Sequence, residues 1–179
     1  LSISANEKDK LINLEGELKS VIFGQDKAIE GLVSVINIAR AGLGHPNKPE
    51  ASILMAGPTG VGKTQVCLDL ARLTGRTLLR YDMAEYQEDH AVAKFVGSPP
   101  GYVGTTDGGK LVNDVWKNPN AIIVLDEVEK ANPRIHQLLL GVMDAAVLTD
   151  GTGKTANFQN TLLVMTTNAG AQEMAKNSL

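Results

Sequence analysis

The apolar run Ile53-Leu54-Met55-Ala56 leads directly into Gly57-Pro58-Thr59-Gly60-Val61-Gly62-Lys63-Thr64. This wording, G-x-x-x-x-G-K-[ST], constrains the chain more than any other stretch because it fits one local geometry, a strand feeding a glycine-rich turn that opens a helix. Glycines let successive backbone N–H groups curl into a concave anion nest, and the helix beginning near Lys63 adds its positive dipole end. Lys63 supplies a full charge to the terminal phosphates, and Thr64 offers its hydroxyl to Mg²⁺. Val66, Leu68, Leu70, Ala71 and Leu73 then recur as in an amphipathic helix, which Gly75 closes. The stretch predicts a nucleoside-triphosphate site whose phosphates lie on Gly57–Thr64.

Around it the hydrophobic pattern alternates between helix and strand. Ser4-Ala5-Asn6-Glu7 fits a capping box for a helix over about residues 7–20, and a second helix runs from Asp26 until Gly42 and Gly44 stop it. Strands are predicted at 52–56, 77–81, 121–125 and 161–165, with helical pattern at 84–95, at 110–116 and from Asn132-Pro133 onward. Ala146-Val147-Leu148 is a short apolar run, and 149–157 reads as a polar loop. The continuous apolar run Ala121-Ile122-Ile123-Val124-Leu125 is the kind found where helices cover both faces of a parallel sheet. The expected fold is therefore α/β, a three-layer αβα arrangement around a parallel sheet.

With 179 residues, 43% of them hydrophobic and 21% charged, the chain has the composition of one globular domain. No run approaches the ~20 apolar residues of a membrane span. A net charge of −3 argues against a nucleic-acid surface. The single cysteine, Cys67, suits a buried apolar position in a reducing compartment, and a cytoplasmic location is expected. His45, His90 and His136 stand far apart without ligand-spaced partners, and Tyr81, Tyr86, Phe95, Phe158 and Trp116 read as packing residues.

Ligands of parallel sheets sit beyond the carboxyl ends of the strands, where Asp126-Glu127 and Asn168 are placed. Asp126 can hold the Mg²⁺ water shell beside Thr64, and Glu127 can polarise the water that attacks the terminal phosphorus. Asn168, one strand over, can hydrogen-bond that water or the γ-phosphate.

These motifs in this order resemble the AAA+ ATPases of the P-loop NTPase fold. Val21-Ile22-Phe23-Gly24-Gln25-Asp26, Arg40-Ala41-Gly42-Leu43-Gly44-His45, Asp82-Met83-Ala84-Glu85-Tyr86, Pro99-Pro100-Gly101-Tyr102-Val103-Gly104 and Leu125-Asp126-Glu127-Val128-Glu129-Lys130 are similar to the Clp family, and within it to the second ATPase module of the ClpA branch. The resemblance implies an AAA+ large subdomain over 1–179, with N-terminal helices and a linker at 1–49, the P-loop core at 50–170 and the start of a downstream loop or helix at 171–179.

It further implies ATP and Mg²⁺ as cofactors, with Lys63, Glu127 and Asn168 catalytic and Ile22 and Phe23 lining the adenine pocket. The assembly implied is a hexamer that unfolds tagged or unfolded proteins and threads them through a central pore into a separate peptidase ring. Gly101-Tyr102-Val103-Gly104 would be the pore loop, Tyr102 gripping the polypeptide between mobile glycines. The loop at 150–158 resembles a second pore loop but departs from the family wording at Lys154, Asn157 and Gln159. Family members carry a neighbour-facing arginine, a helical lid, a fifth strand and a peptidase-docking loop after the point reached by residue 179. The 179-residue chain alone is therefore expected to bind nucleotide weakly, hydrolyse it slowly and form no stable hexamer. A stand-alone disaggregase, a passive ATP-responsive binding module, and a GTPase or small-molecule kinase are the alternatives; the last lacks an Asn-Lys-x-Asp sequence to read guanine.

Overall fold

The computed structural model describes residues 13–20, 26–38, 41, 44–57, 62–97 and 108–168. Helical residues 13–20 (α1) and Asp26–Ile38 (α2) precede β1, Ala51–Ala56. The order continues with α3 (Lys63–Thr74), β2 (Leu78–Asp82), a 3₁₀ turn at Met83–Tyr86, α4 (Asp89–Val96), α5 (Lys110–Lys117) and β3 (Ile122–Asp126). A second 3₁₀ turn at Val128–Lys130 leads to α6 (Pro133–Ala145), the short strands β4 (Val147–Thr149) and β5 (Thr155–Asn157), and β6 (Leu162–Thr167).

Four parallel strands form the sheet in the order β1-β6-β3-β2. Successive side chains of a strand point to opposite faces, which splits the apolar runs between two cores. Ile122, Val124, Leu162 and Val164 pack with Leu14 and Leu18 of α1, Ile29, Leu32 and Ile36 of α2, and Val66 and Leu70 of α3. Ile123, Leu125 and Leu163 face the other way, toward Phe95 of α4, Val112 of α5, Leu139 of α6 and Phe158. Every residue of β3 is buried, as the unbroken apolar run Ile122–Leu125 requires of a central strand covered on both faces. The three-layer αβα architecture expected from the alternating pattern is the observed one.

Two of the local signals act at the expected places, while the Ser4–Glu7 capping box and Gly42 lie outside the described residues. Gly75, in the left-handed region at φ 66°, ends α3: its N–H donates to the Arg72 carbonyl and the next N–H, of Arg76, to the Ala71 carbonyl. The Asn132 side chain caps α6 by accepting from the Arg134 N–H, with Pro133 at the first turn. Gly141 costs that helix about 1 kcal/mol. Full burial of Ile135, Leu139 and Val142 contributes about 1.5–3 kcal/mol each and outweighs it.

Three details differ from the sequence reading. The stretch read as a polar loop at 149–157 contains β5, which pairs antiparallel with β4 in register Leu148↔Ala156, buried at both partners. The apolar periodicity there is too short to announce a strand. Leu68 of α3 is 44% exposed, because the buried face of that helix is Val66, Cys67, Leu70 and Ala71. Trp116 is 60% exposed instead of packed, with the Lys154 ammonium 4.3 Å from its ring centre.

Candidate functional site

The carboxyl ends of β1, β3 and β6 converge, and the chemistry-bearing side chains follow them. Gly62, in the left-handed region at φ 87°, turns the chain into α3. Lys63 at the start of that helix folds back across the strand ends. Its ammonium donates to the Gly57 carbonyl, to the Thr167 carbonyl at 3.0 Å and to Asn168 Oδ1 at 3.0 Å. A positive group is thereby held at the mouth of a helix N-terminus, where the macrodipole already favours an anion.

Beside it Thr64 Oγ1 donates to Asp126 Oδ1 at 3.3 Å, so a hydroxyl and a carboxylate face one another across two elements. Asp126 is 7% exposed and is held by two further side chains. Thr166 Oγ1 donates to Oδ1 at 3.1 Å and Arg80 Nε donates to Oδ2 at 2.5 Å, while the backbone of Asp126 lies in register with Asp82 of β2. These oxygens are hard ligands of the kind Mg²⁺ takes, and their adjacency fits that ion.

Glu127 follows in the left-handed region, φ 54° and ψ 53°, which a non-glycine residue adopts only when its surroundings impose it. The surroundings do so here. The Glu127 N–H donates to Thr166 Oγ1 at 3.1 Å, the carboxylate Oε2 receives Lys130 Nζ at 2.5 Å, and Oε1 receives Asn168 Nδ2 at 2.8 Å. The backbone thus leaves β3 at Asp126 and immediately turns Glu127 sideways toward Asn168.

Asn168 completes the set from the end of β6. One amide group accepts from Lys63 and donates to Glu127, while its main-chain N–H donates to Glu129 Oε1 at 2.9 Å. Burial raises the Glu129 carboxyl, but donors from Asn168 and Thr167 and the charge of Lys130 hold it below the usual carboxylate range. Glu127 in turn raises the ammonium of Lys130. In α3, burial pushes the Cys67 thiol up to about 12, with the Asp126 charge adding to it.

The structure therefore brings Lys63, Thr64, Asp126, Glu127 and Asn168 together, with Gly57 and Gly62 bracketing the loop. Pro58, Thr59, Gly60 and Val61 lie outside the described residues, as do Ile22, Phe23, Gly101, Tyr102, Val103 and Gly104. Arg80 and Thr166 join the site without a sequence signal that singles them out, and Glu129 and Lys130, present in the Leu125–Lys130 wording but given no role by it, join through Asn168 and Glu127. Strand alternation is the partial exception, since Thr166 stands two residues before Asn168 and so on the same face. Arg80 carries no motif, and only the sheet order places it beside Asp126.

A basin of about 830 Å³ opens at the other ends of the strands, lined by His45, Glu50, Arg76, Asn118 and Gln159 among others. It contains none of the residues above. Its wall holds the Arg76–Glu50 ion pair at 2.7 Å, and the chemistry argues for the carboxyl ends as the site. No helix among the described residues is long and apolar enough to cross a membrane.

Comparison with known proteins shows the family. The family description "AAA domain (Cdc48 subfamily)" matches residues 48–179. A ClpA homolog protein of Fuscovulum blasticum is 49% identical over 99% of this chain and 22% of its own length. The competence regulator ClpC/MecB of Bacillus subtilis is 44% identical over 98% of this chain and 22% of its own. A chaperone protein ClpB of Vibrio vulnificus is 46% identical over 96% of this chain and 20% of its own. The chain thus spans about a fifth of the length of the curated relatives it matches. A closed-state cryo-EM structure of Hsp104 with ATPyS and FITC casein superposes with a TM-score of 0.90 at 35% identity, over 99% of this chain and 31% of that one. The chain belongs to the Clp-family AAA+ ATPases, as a nucleotide-binding P-loop domain of the Cdc48 subfamily type.

Proposed function

We propose that this chain is the ATP-hydrolysing motor module of a hexameric protein unfoldase, equivalent to the second ATPase module of a ClpA-type protein. The observation that carries the reading is the chain of contacts Lys63–Asn168–Glu127, which sets a phosphate-binding cation and a candidate general base on one amide. In this reading Gly57–Thr64 cradle the phosphates, with Lys63 on the terminal ones. Glu127 takes the proton of the attacking water, and Asn168 holds Glu127 and that water in line. Thr64 and Asp126 hold Mg²⁺, which when bound draws charge from the phosphate oxygens. Ile22 and Phe23 line the adenine pocket, and Tyr102, between Gly101 and Val103-Gly104, grips the polypeptide and passes it on toward a peptidase ring.

The 43% identity to ClpE of Lactococcus lactis, an ATP-binding subunit of an ATP-dependent Clp protease, supports the peptidase-linked form, and the 46% identity to the chaperone protein ClpB supports a second reading as a disaggregase module. The decisive experiment uses the full-length protein. Glu127→Gln should retain ATP and lower turnover by roughly 10²–10⁴-fold, the range general-base catalysis supplies. Unchanged turnover would remove Glu127 from the mechanism. Tyr102→Ala should abolish unfolding of a tagged protein while ATP binding persists, and degradation on addition of the peptidase separates the two readings.

A further inference from the structure

Asp150 sits at the turn between β4 and β5 and is 5% exposed, yet the proposed hydrolysis does not use it. Its carboxylate is shared between two stretches of chain. Oδ1 serves its own turn, accepting from the Thr152 N–H at 2.9 Å, Thr152 Oγ1 at 2.6 Å and the Lys154 N–H at 3.1 Å. Oδ2 reaches to a segment 41 residues away and accepts from the Gly109 N–H at 3.1 Å, just before α5. Burial alone would raise this carboxyl, but the Thr152, Gly109 and Lys154 donors together hold it below the usual range.

The backbone around it is packed without slack. A Cβ at Gly108 would stand 2.5 Å from Asp150 Oδ2, one at Gly97 2.8 Å from Asp150 Cβ, and one at Gly109 2.4 Å from the Val96 carbonyl carbon. Gly97 and Gly108 also hold φ +94° and +64°, which glycine alone adopts without strain. From the same turn Lys154 donates to Asn113 Oδ1 at 2.8 Å and covers Trp116, tying the hairpin to α5. Gly97 on one side and Gly108-Gly109 on the other flank residues 98–107.

We propose that Asp150 is a positioning residue that ties the Gly109 flank of residues 98–107 to the β4–β5 turn, against which the Gly97 flank also packs, so that load on Tyr102 reaches α5 and the hairpin as one body. This rests on the reading of Tyr102 as the gripping residue. A carboxylate suits the task because it only accepts, and its two oxygens can serve donors from two segments at once. Its bonds are charge-assisted and stronger than neutral ones.

Asparagine separates the two halves of this arrangement. In Asp150→Asn one oxygen still serves Thr152 and Lys154, but an NH₂ then faces the Gly109 N–H, donor against donor. The flipped amide would restore the Gly109 bond but set its NH₂ against the N–H groups of both Thr152 and Lys154, so the cross-segment bond is the one expected to break.

The test uses Asp150→Asn in the full-length hexamer. Amide exchange at Gly109 should rise by roughly tenfold or more, as for a lost hydrogen bond to a charged group, with Thr152 and Lys154 unchanged. ATP hydrolysis without client should stay within about twofold. Unfolding of a tagged client, and the stimulation of hydrolysis by that client, should each fall by roughly tenfold. Gly109→Ala, which forces the flank off Val96, should give the same split and serves if Asp150→Asn assembles poorly.

Unchanged exchange at Gly109 overturns the clamp. Raised exchange with undiminished unfolding and stimulation overturns the positioning role. Added to Tyr102→Ala, Asp150→Asn should cause no further loss of stimulation, and additive losses overturn transmission through this loop. Should Tyr102→Ala alone leave unfolding intact, the gripping reading fails and the force-transmitting role of Asp150 with it, while Gly109 exchange still decides the clamp.

Discussion

Asn168 Nδ2 donates to Glu127 Oε1 at 2.8 Å, so the end of β6 fixes the orientation of a carboxylate carried by β3. The same amide accepts from Lys63, which means that removing it disturbs both partners at once. Asn168→Ala should lower kcat for ATP by roughly 10–100-fold while nucleotide affinity changes little, since what is lost is orientation in the transition state. Asn168→Asp should be worse than alanine, because it sets a second carboxylate against Glu127. Steady-state ATPase kinetics beside nucleotide titration checks both, and an alanine variant with full kcat would remove Asn168 from the catalytic set.

Thr166, 3% exposed, donates to Asp126 and accepts from the Glu127 N–H. Thr166→Val keeps the shape and deletes both bonds. A cost of about 1–3 kcal/mol is expected, most of it from unsatisfied groups. For a chain of this size that is a fall in Tm of roughly 2–4 °C per kcal/mol. Thermal denaturation should show it together with a reduced ATPase rate, whereas an unchanged Tm would mean that the two bonds add nothing net to stability.

Cys67 is buried and its thiol is pushed up to about 12, so the reactive thiolate is scarce at neutral pH. Alkylation of the native protein near pH 8 should be slower by orders of magnitude than that of the urea-unfolded chain. Rapid native labelling would show that α3 opens readily.

Asp150 and Glu129 have carboxyls held below the usual range in the folded chain. Their protons bind more weakly folded than unfolded, so each contributes stability above the unfolded value of about 3.9–4.3. That contribution is lost progressively as pH falls toward the lower folded values. The Tm difference between wild type and Asp150→Asn should therefore be largest near neutrality and narrow below about pH 4. A difference that widens in acid would reverse the sign assigned to Asp150.

Part of the candidate site is legible in the amino-acid sequence alone. Gly57, Lys63, Thr64, Asp126, Glu127 and Asn168 fall at or just beyond strand ends, and a parallel α/β pattern sends strand ends to one edge. Arg80 and Asp150 are not legible there, because their partners lie 46 and 41 residues away and no motif joins them. Trp116 departs from its expected packing role because composition does not separate an aromatic that fills a core from one that lies under a lysine on the surface.

Local chemistry along the chain is enough to set the layers, through the alternation of runs such as Ile122–Leu125, and to set the turn at Gly62 that opens α3 at Lys63, because these signals act within a few residues. The order β1-β6-β3-β2, the left-handed turn at Glu127 and the sharing of Asn168 between Lys63 and Glu127 arise only when the elements assemble. Periodicity records which face of an element avoids water, but a hydrogen bond between side chains on different elements depends on register and crossing, which no local pattern encodes.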